Sequence, residues 1–163
     1  MKKFLLLILL AGFTLTNCSD DKDGNPLVGT WSLDHVDVTF KLNGVNKSLH
    51  QEALTNEEAA ALLTSLHAPA PGSLGIVFTE NTATVTGEPA VNYAVENGII
   101  YFINGTMRAA IFKYKFEGGF LVLNQAESME ITDPEYIEVK TRLEEIFGTV
   151  VSNIEAPMYF KKV

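Results

Sequence analysis

The stretch Leu27-Val28-Gly29-Thr30-Trp31-Ser32-Leu33 contains the only tryptophan of the chain and opens its first strand. Trp31 and Leu33 alternate with polar neighbours and so share one strand face. Val36, Val38, Phe40 and Leu42 alternate on the opposite parity. The core-facing phase therefore slips by one residue near Asp34-His35, and a β-bulge or sharp bend there would absorb it as a long strand curves round a barrel. Asn43-Gly44 then supplies a turn.

Upstream, Met1-Lys2-Lys3 leads into the apolar run Phe4 to Phe13. Two positive charges followed by about ten apolar residues read as a signal peptide over residues 1–17, a run too short to span a bilayer comfortably. Cys18 is the single cysteine of the 163 residues, so no disulfide can form within the chain. Leu15-Thr16-Asn17-Cys18 resembles the lipobox of bacterial lipoproteins, in which such a cysteine is diacylated and becomes the mature N-terminus; Asn17 departs from the small residue usual there. Two or more acyl chains anchor stably where one would not. Residues 18–26 then form an acidic, flexible tether. Acidic residues directly after such a cysteine resemble the signal that sends lipoproteins to the outer leaflet of the outer membrane, with the periplasmic leaflet as the alternative. Asp21, Asp23 and Asn25 around Gly24 mimic a fragment of a calcium loop, but Thr30 stands where the loop needs a glutamate, so no metal is expected there.

Without residues 1–17 the chain loses Lys2 and Lys3, leaving 10 positive side chains against 20 negative and a net charge of −10. A domain that acidic repels phosphate backbones, which argues against a nucleic-acid partner. The length suits one domain, residues 27–163.

After the first strands, Thr55-Asn56-Glu57-Glu58 reads as a capping box with Thr55 as N-cap. The helix that follows carries Leu62, Leu63 and Leu66 on one stripe and stops before Pro69 and Pro71; it would plug or lid a barrel mouth. From Ser73 the chain is almost all hairpins. Short alternating strands are separated by Glu80-Asn81, Asn97-Gly98, Asn104-Gly105 and Gly118-Gly119. Such turns make sequential strands antiparallel neighbours, an up-and-down meander. Ala110, Phe112, Tyr114 and Phe116 are expected on one face of a strand, with Lys113 and Lys115 on the solvated face. Asp133-Pro134 opens a second helix whose stripe is Tyr136, Val139, Leu143, Ile146 and Phe147, with Glu138 and Arg142 as an i,i+4 pair. Residues 157–162 give a final strand. The expected fold is mostly β: an antiparallel up-and-down barrel of about eight strands with two inserted helices.

An exported chain whose first strand begins Gly29-Thr30-Trp31 and continues as an antiparallel meander resembles the lipocalin-like (calycin) domains of bacterial surface lipoproteins. The resemblance covers residues 27–162 as an arrangement of elements, with Gly29 and Trp31 as the motif. In that family the tryptophan packs across the barrel bottom beneath a late-strand arginine; here the last strand offers Lys161 or Lys162 instead. The resemblance implies a ligand-binding interior or a partner-binding mouth, and no catalysis in most members.

The chemistry-bearing residues are sparse. His35, His50 and His67 have no zinc spacing, and no second cysteine is present to join them. Neither a Gly-x-Ser-x-Gly elbow nor a glycine-rich phosphate loop occurs, so no catalytic residue, cofactor or metal is assigned. The expected ligand is a small apolar or amphipathic molecule held between the meander aromatics Tyr93, Tyr101, Phe112, Tyr114 and Phe116 and the helix around Leu62, Leu63 and Leu66. The alternative is a surface interaction with a protein partner in an outer-membrane assembly.

Overall fold

The computed structural model describes residues 24–66, 69–126 and 134–163. Cys18, His67 and Asp133 lie outside these residues. In chain order the elements are β1 (Gly29–Val36), β2 (Thr39–Leu42), β3 (Val45–Ser48), α1 (Leu49–Glu52), α2 (Glu57–Ser65), β4 (Gly75–Phe78), β5 (Thr82–Val85), β6 (Val91–Glu96), β7 (Ile99–Asn104), β8 (Met107–Glu117), β9 (Phe120–Gln125), α3 (Pro134–Phe147), β10 (Val151–Glu155) and β11 (Met158–Lys162).

Eight strands close an antiparallel barrel in the order β1-β11-β9-β8-β7-β6-β5-β4. The expected meander is there from β4 to β9, each strand pairing with the next. Tight turns enforce it. Asn97 adopts φ +51° and Gly98 φ +74°, the left-handed pair that a two-residue hairpin turn requires. β11 then closes the barrel between β9 and β1. Closure leaves no free edge on this sheet.

The phase slip at Asp34-His35 is a register irregularity between Leu33 and His35 where β1 meets β11. Beyond it the chain does not curve on round the barrel. β1 ends at Val36, and Asp37, 5% exposed, anchors a departure. The Asp37 carboxylate accepts from the Val38 amide at 2.7 Å, the Ser48 hydroxyl at 2.5 Å and the His50 amide at 3.0 Å. Three donors on one buried carboxylate satisfy it and bind the start of β2 to the start of α1. β2 pairs with β3 and β10 in a separate three-stranded sheet, order β10-β2-β3. Two insertions thus build a second lobe, one between β1 and β4 and one between β9 and β11. Both leave and return at the same end of the barrel, where Val36 pairs with Met158 and Met158 with Leu123.

Each lobe has its own core. Trp31, Leu33, Ile76, Phe78, Ile100, Leu121, Leu123 and Phe160 fill the barrel. Val38, Phe40, Leu49, Leu62, Tyr136, Leu143, Val151 and Ile154 fill the second lobe. Both helices expected from sequence belong to this second core, joined by the short α1. The cap of α2 is displaced by one residue from the expected box. Asn56, not Thr55, is the N-cap, and its side-chain oxygen accepts from the amides of Glu58 and Ala59 at 3.0 and 3.1 Å. On α3 the i,i+4 ion pair among the described residues is Lys140–Glu144 at 2.5 Å rather than Glu138–Arg142. Glu144 also accepts from the Val151 amide at 3.1 Å and so ties α3 to β10.

The end of the barrel where β1 starts is closed. The Trp31 indole N–H donates to the Leu27 carbonyl at 2.8 Å, and the Phe116 ring lies 5.8 Å away. The Lys162 ammonium sits 5.5 Å from the Trp31 ring, a cation over an aromatic face. Its stem crosses Gly29 so closely that a β-carbon there would stand 2.7 Å from Cε of Lys162, and Gly29 has φ +143°. The flexible lysine stem can swing aside, so it is the positive φ that favours glycine at this position.

Candidate functional site

The opposite end of the barrel differs. Val36 closes β1, Leu74 precedes β4, Val85 closes β5, Val91 opens β6, Phe102 lies near the end of β7 and Met158 opens β11. All six are half-buried apolar side chains packed on the fully buried core beneath them. Antiparallel order places them on one rim. Both insertions emerge here, so the second lobe stands beside an apolar mouth.

Where the lobe meets the rim there is a pocket of about 240 Å³. Val36 and Val38 line it from the β1–β2 junction, Leu63 and Leu66 from α2, Tyr136 and Val139 from α3, and Ile154 and Ala156 from the return to β11. Pro69 and Glu135 complete the wall. A groove of about 400 Å³ continues from it between α2 and α3, where Ser65, Glu135, Glu138 and Arg142 add polar and charged groups. An apolar cavity of about 150 Å³ accepts benzene, so the pocket suits a single small apolar body. The groove offers the polar end of such a molecule a place beside charged side chains.

The residues expected to hold a ligand are distributed over five places. Leu63 and Leu66 line the pocket, while Leu62 is buried in the second core beneath it. Phe112, Tyr93 and Tyr114 pack in the barrel. The Tyr93 hydroxyl is already engaged, donating to the Thr79 carbonyl at 2.9 Å and accepting from Asn25 at 2.6 Å, and burial pushes its pKa up. Phe116 lies 46% exposed at the closed end beside Trp31. Tyr101 is on the outer wall. Its ring lies under the Arg108 guanidinium at 3.9 Å, which also pairs with Glu96 at 2.7 Å. Where β7 meets β8, Ile111 is an extra residue on β8: Phe112 stands opposite Ile100, whereas Ala110 stands opposite the outward Tyr101, so Ala110 does not share the face of Phe112. The aromatics and the α2 leucines therefore do not form one wall. The pocket residues that sequence reasoning missed are Val36, Val38, Tyr136, Val139, Ile154 and Ala156. The stripe Tyr136–Val139–Leu143 was the available signal, since an apolar helix face must meet something, but its partner came from a distant insertion.

Fold also brings His35 and His50 together, 15 residues apart in sequence, with ring centroids 5.4 Å apart. His35 stacks on Tyr159 at 4.4 Å and its Nδ1 lies 2.8 Å from Asp34. That hydrogen bond, reinforced by Lys161 at 3.3 Å, holds the Asp34 carboxyl below the usual carboxylate range. Burial raises the Tyr159 hydroxyl pKa. The group seams the second lobe to the barrel wall.

Comparison with protein-family models, with curated proteins and with solved structures gave no match.

Proposed function

We propose that this protein binds one small apolar or amphipathic molecule at the barrel mouth, its apolar part in the pocket between α2, α3 and Val36. We further propose that it does so as a lipocalin-like lipoprotein tethered through acylated Cys18 at the outer membrane. The observation that carries the binding reading is the pocket itself: nearly all of its lining is apolar, and it opens beside a rim of half-buried apolar side chains. Ligand sites are concave, mostly apolar and carry few polar groups, and this one has Glu135 at its wall and Glu138 and Arg142 in the adjoining groove. The charge-then-apolar run before Cys18 and the acidic tether after it support the location.

The test fills the pocket. Isothermal titration with a naphthalene-sized amphiphile such as 1-aminonaphthalene is expected to show one saturable site. Leu66→Trp is expected to weaken it about tenfold or more by occupying the space, with the far-side variant Phe116→Leu leaving it unchanged. Absence of saturable binding, or binding indifferent to Leu66→Trp, would overturn the reading. Mass spectrometry of the mature chain tests the anchor, with a diacylated Cys18 N-terminus expected.

A further inference from the structure

The chain enters the barrel at its closed end and is pinned there. The Asn25 side-chain amide donates to the Tyr93 hydroxyl at 2.6 Å, and the Val28 amide donates to the Asn25 carbonyl at 3.0 Å. Leu27 is fully buried, with the Trp31 indole on its carbonyl. The last residue returns to the same end, where the Val163 amide donates to the Thr30 carbonyl at 2.9 Å. The segment before Asn25 therefore departs from a fixed point at the closed end.

The surface around that point is apolar. Two side chains there face the barrel interior by register and still reach solvent. Val95 stands opposite Ile100 and Phe116 opposite Leu121, and both partners are fully buried. Yet Val95 is 37% and Phe116 46% exposed. Val163 adds a third apolar side chain, 82% exposed. Charges at this end are balanced. Lys115 pairs with Glu117 at 2.5 Å, while Lys162 over the Trp31 ring offsets Glu80 in the β4–β5 turn. Asp20, Asp21 and Asp23 just upstream repel anionic surfaces, so a zwitterionic surface suits this end best.

Length decides what that surface meets. An acylated Cys18 lies six residue steps before Gly24. At about 3.5 Å per residue those steps reach at most about 21 Å. β8 runs from the mouth to the closed end in 11 residues. That is about 33 Å along the strand and about 25 Å along the barrel axis at the usual tilt of about 40°. A tether of this length holds the closed end near its anchor and is too short to run back along the wall and bring the mouth to the bilayer.

We propose, resting on the acylated Cys18 argued above, that the closed end docks on the lipid bilayer through Phe116, Val95 and Val163. Exposed aromatic and aliphatic side chains of this kind settle at the boundary between headgroups and acyl chains. The mouth and its apolar pocket then face away from the bilayer. The ligand reaches the pocket from the aqueous side, not by lateral transfer out of the membrane that holds the anchor.

The experiment couples the single cysteine, Cys18, of the ¹⁵N-labelled mature chain to a maleimide lipid in phosphatidylcholine nanodiscs. Chemical coupling makes the result independent of acylation in the cell. With a nitroxide on the lipid headgroups, the amides of Gly98 and Gly118, in turns of the closed end, are expected to broaden. Those of Gly87 and Gly105, in turns at the mouth, are expected to stay sharp. Phe116→Ser is expected to lower the docked population about fivefold, and Val163→Ser, at an exposed terminus where little packing is at stake, about twofold. Met107→Ser, at a side chain 68% exposed by the mouth, is expected to change nothing. Broadening that is absent at Gly98 and Gly118, equal at both ends, or strongest at the mouth would overturn the proposal. So would closed-end broadening that neither Phe116→Ser nor Val163→Ser reduces. A mature chain without acyl groups on Cys18 would overturn the anchor reading alone, because the coupled protein still reports whether its closed end docks.

Discussion

The barrel and the second lobe are built from the same kinds of side chain by opposite routes. Along the meander, β4 to β9, each barrel strand pairs with the strand next to it in sequence, and the turns between them are short. The second lobe joins β2 to β10, so its sheet cannot exist until the two insertions meet. Its strands have four or five residues each, against eleven in β8. The barrel has no edge, whereas the small sheet has two, and its stability rests on the side chains packed beneath it. A site placed between the two inherits this difference: one wall is fixed and the other can give.

The strongest way to break the comparison is to hollow out each core in turn. Phe160→Ala in the barrel and Phe40→Ala in the lobe remove side chains of equal size, both fully buried, and each is expected to cost about 3–5 kcal/mol. They should differ in what is lost. Trp31 is the only tryptophan and lies in the barrel core, so its fluorescence reports the barrel alone. Phe160→Ala is expected to lower the denaturation midpoint seen by tryptophan fluorescence. Phe40→Ala is expected to leave much of that signal and to accelerate amide exchange in β2, β3 and β10. If both variants lower the tryptophan midpoint equally, the two lobes are one cooperative unit.

A smaller effect is expected where the lobes join. Asp37→Ala strands the amides of Val38 and His50 and the Ser48 hydroxyl, at a cost of about 3 kcal/mol by chemical denaturation. Amide exchange should rise first at α1 and β3. Exchange that rises uniformly would show that this joint is not the local hinge of the lobe.

The smallest effect is set by pH at the same seam. The hydrogen bond from His35 lowers the Asp34 pKa, so Asp34 stabilises the fold fully above the ordinary carboxylate value of about 4. That contribution disappears as pH falls through the lowered value. Asp34→Asn is therefore expected to lower the melting temperature at neutral pH and to shrink its loss on acidification. An unchanged acid limb would sink this assignment.

The barrel was legible in sequence because its signals are local. Asn97-Gly98 can serve only a tight turn, Trp31 and Leu33 show their phase within three residues, and a two-residue connection leaves antiparallel pairing as the sole option. The slip after Leu33 was legible too, as a break in period. Its meaning was not. The same slip allows a strand to bend or to leave its sheet, and the choice was made by Asp37, whose three donors come from residues one, eleven and thirteen places further on. Likewise the stripe on α2 announced that Leu62, Leu63 and Leu66 would be covered, but by α3 and Ile154 rather than by the meander aromatics. Tyr101 faces outward by plain alternation between Ile100 and Phe102, whereas Ala110 leaves the face of Phe112 through a bulge in β8 that no alternation pattern displays.

Sequence by itself determined the antiparallel meander, the two longer helices and the acidic balance of the chain. Those follow from turn chemistry, side-chain period and charge, which act between near neighbours. Tertiary structure alone decided that two insertions would share a second core and that an apolar pocket would open where they meet the barrel mouth. Each of these joins residues from separate insertions, and which distant faces meet depends on the whole set of packing and hydrogen-bond demands being satisfied together.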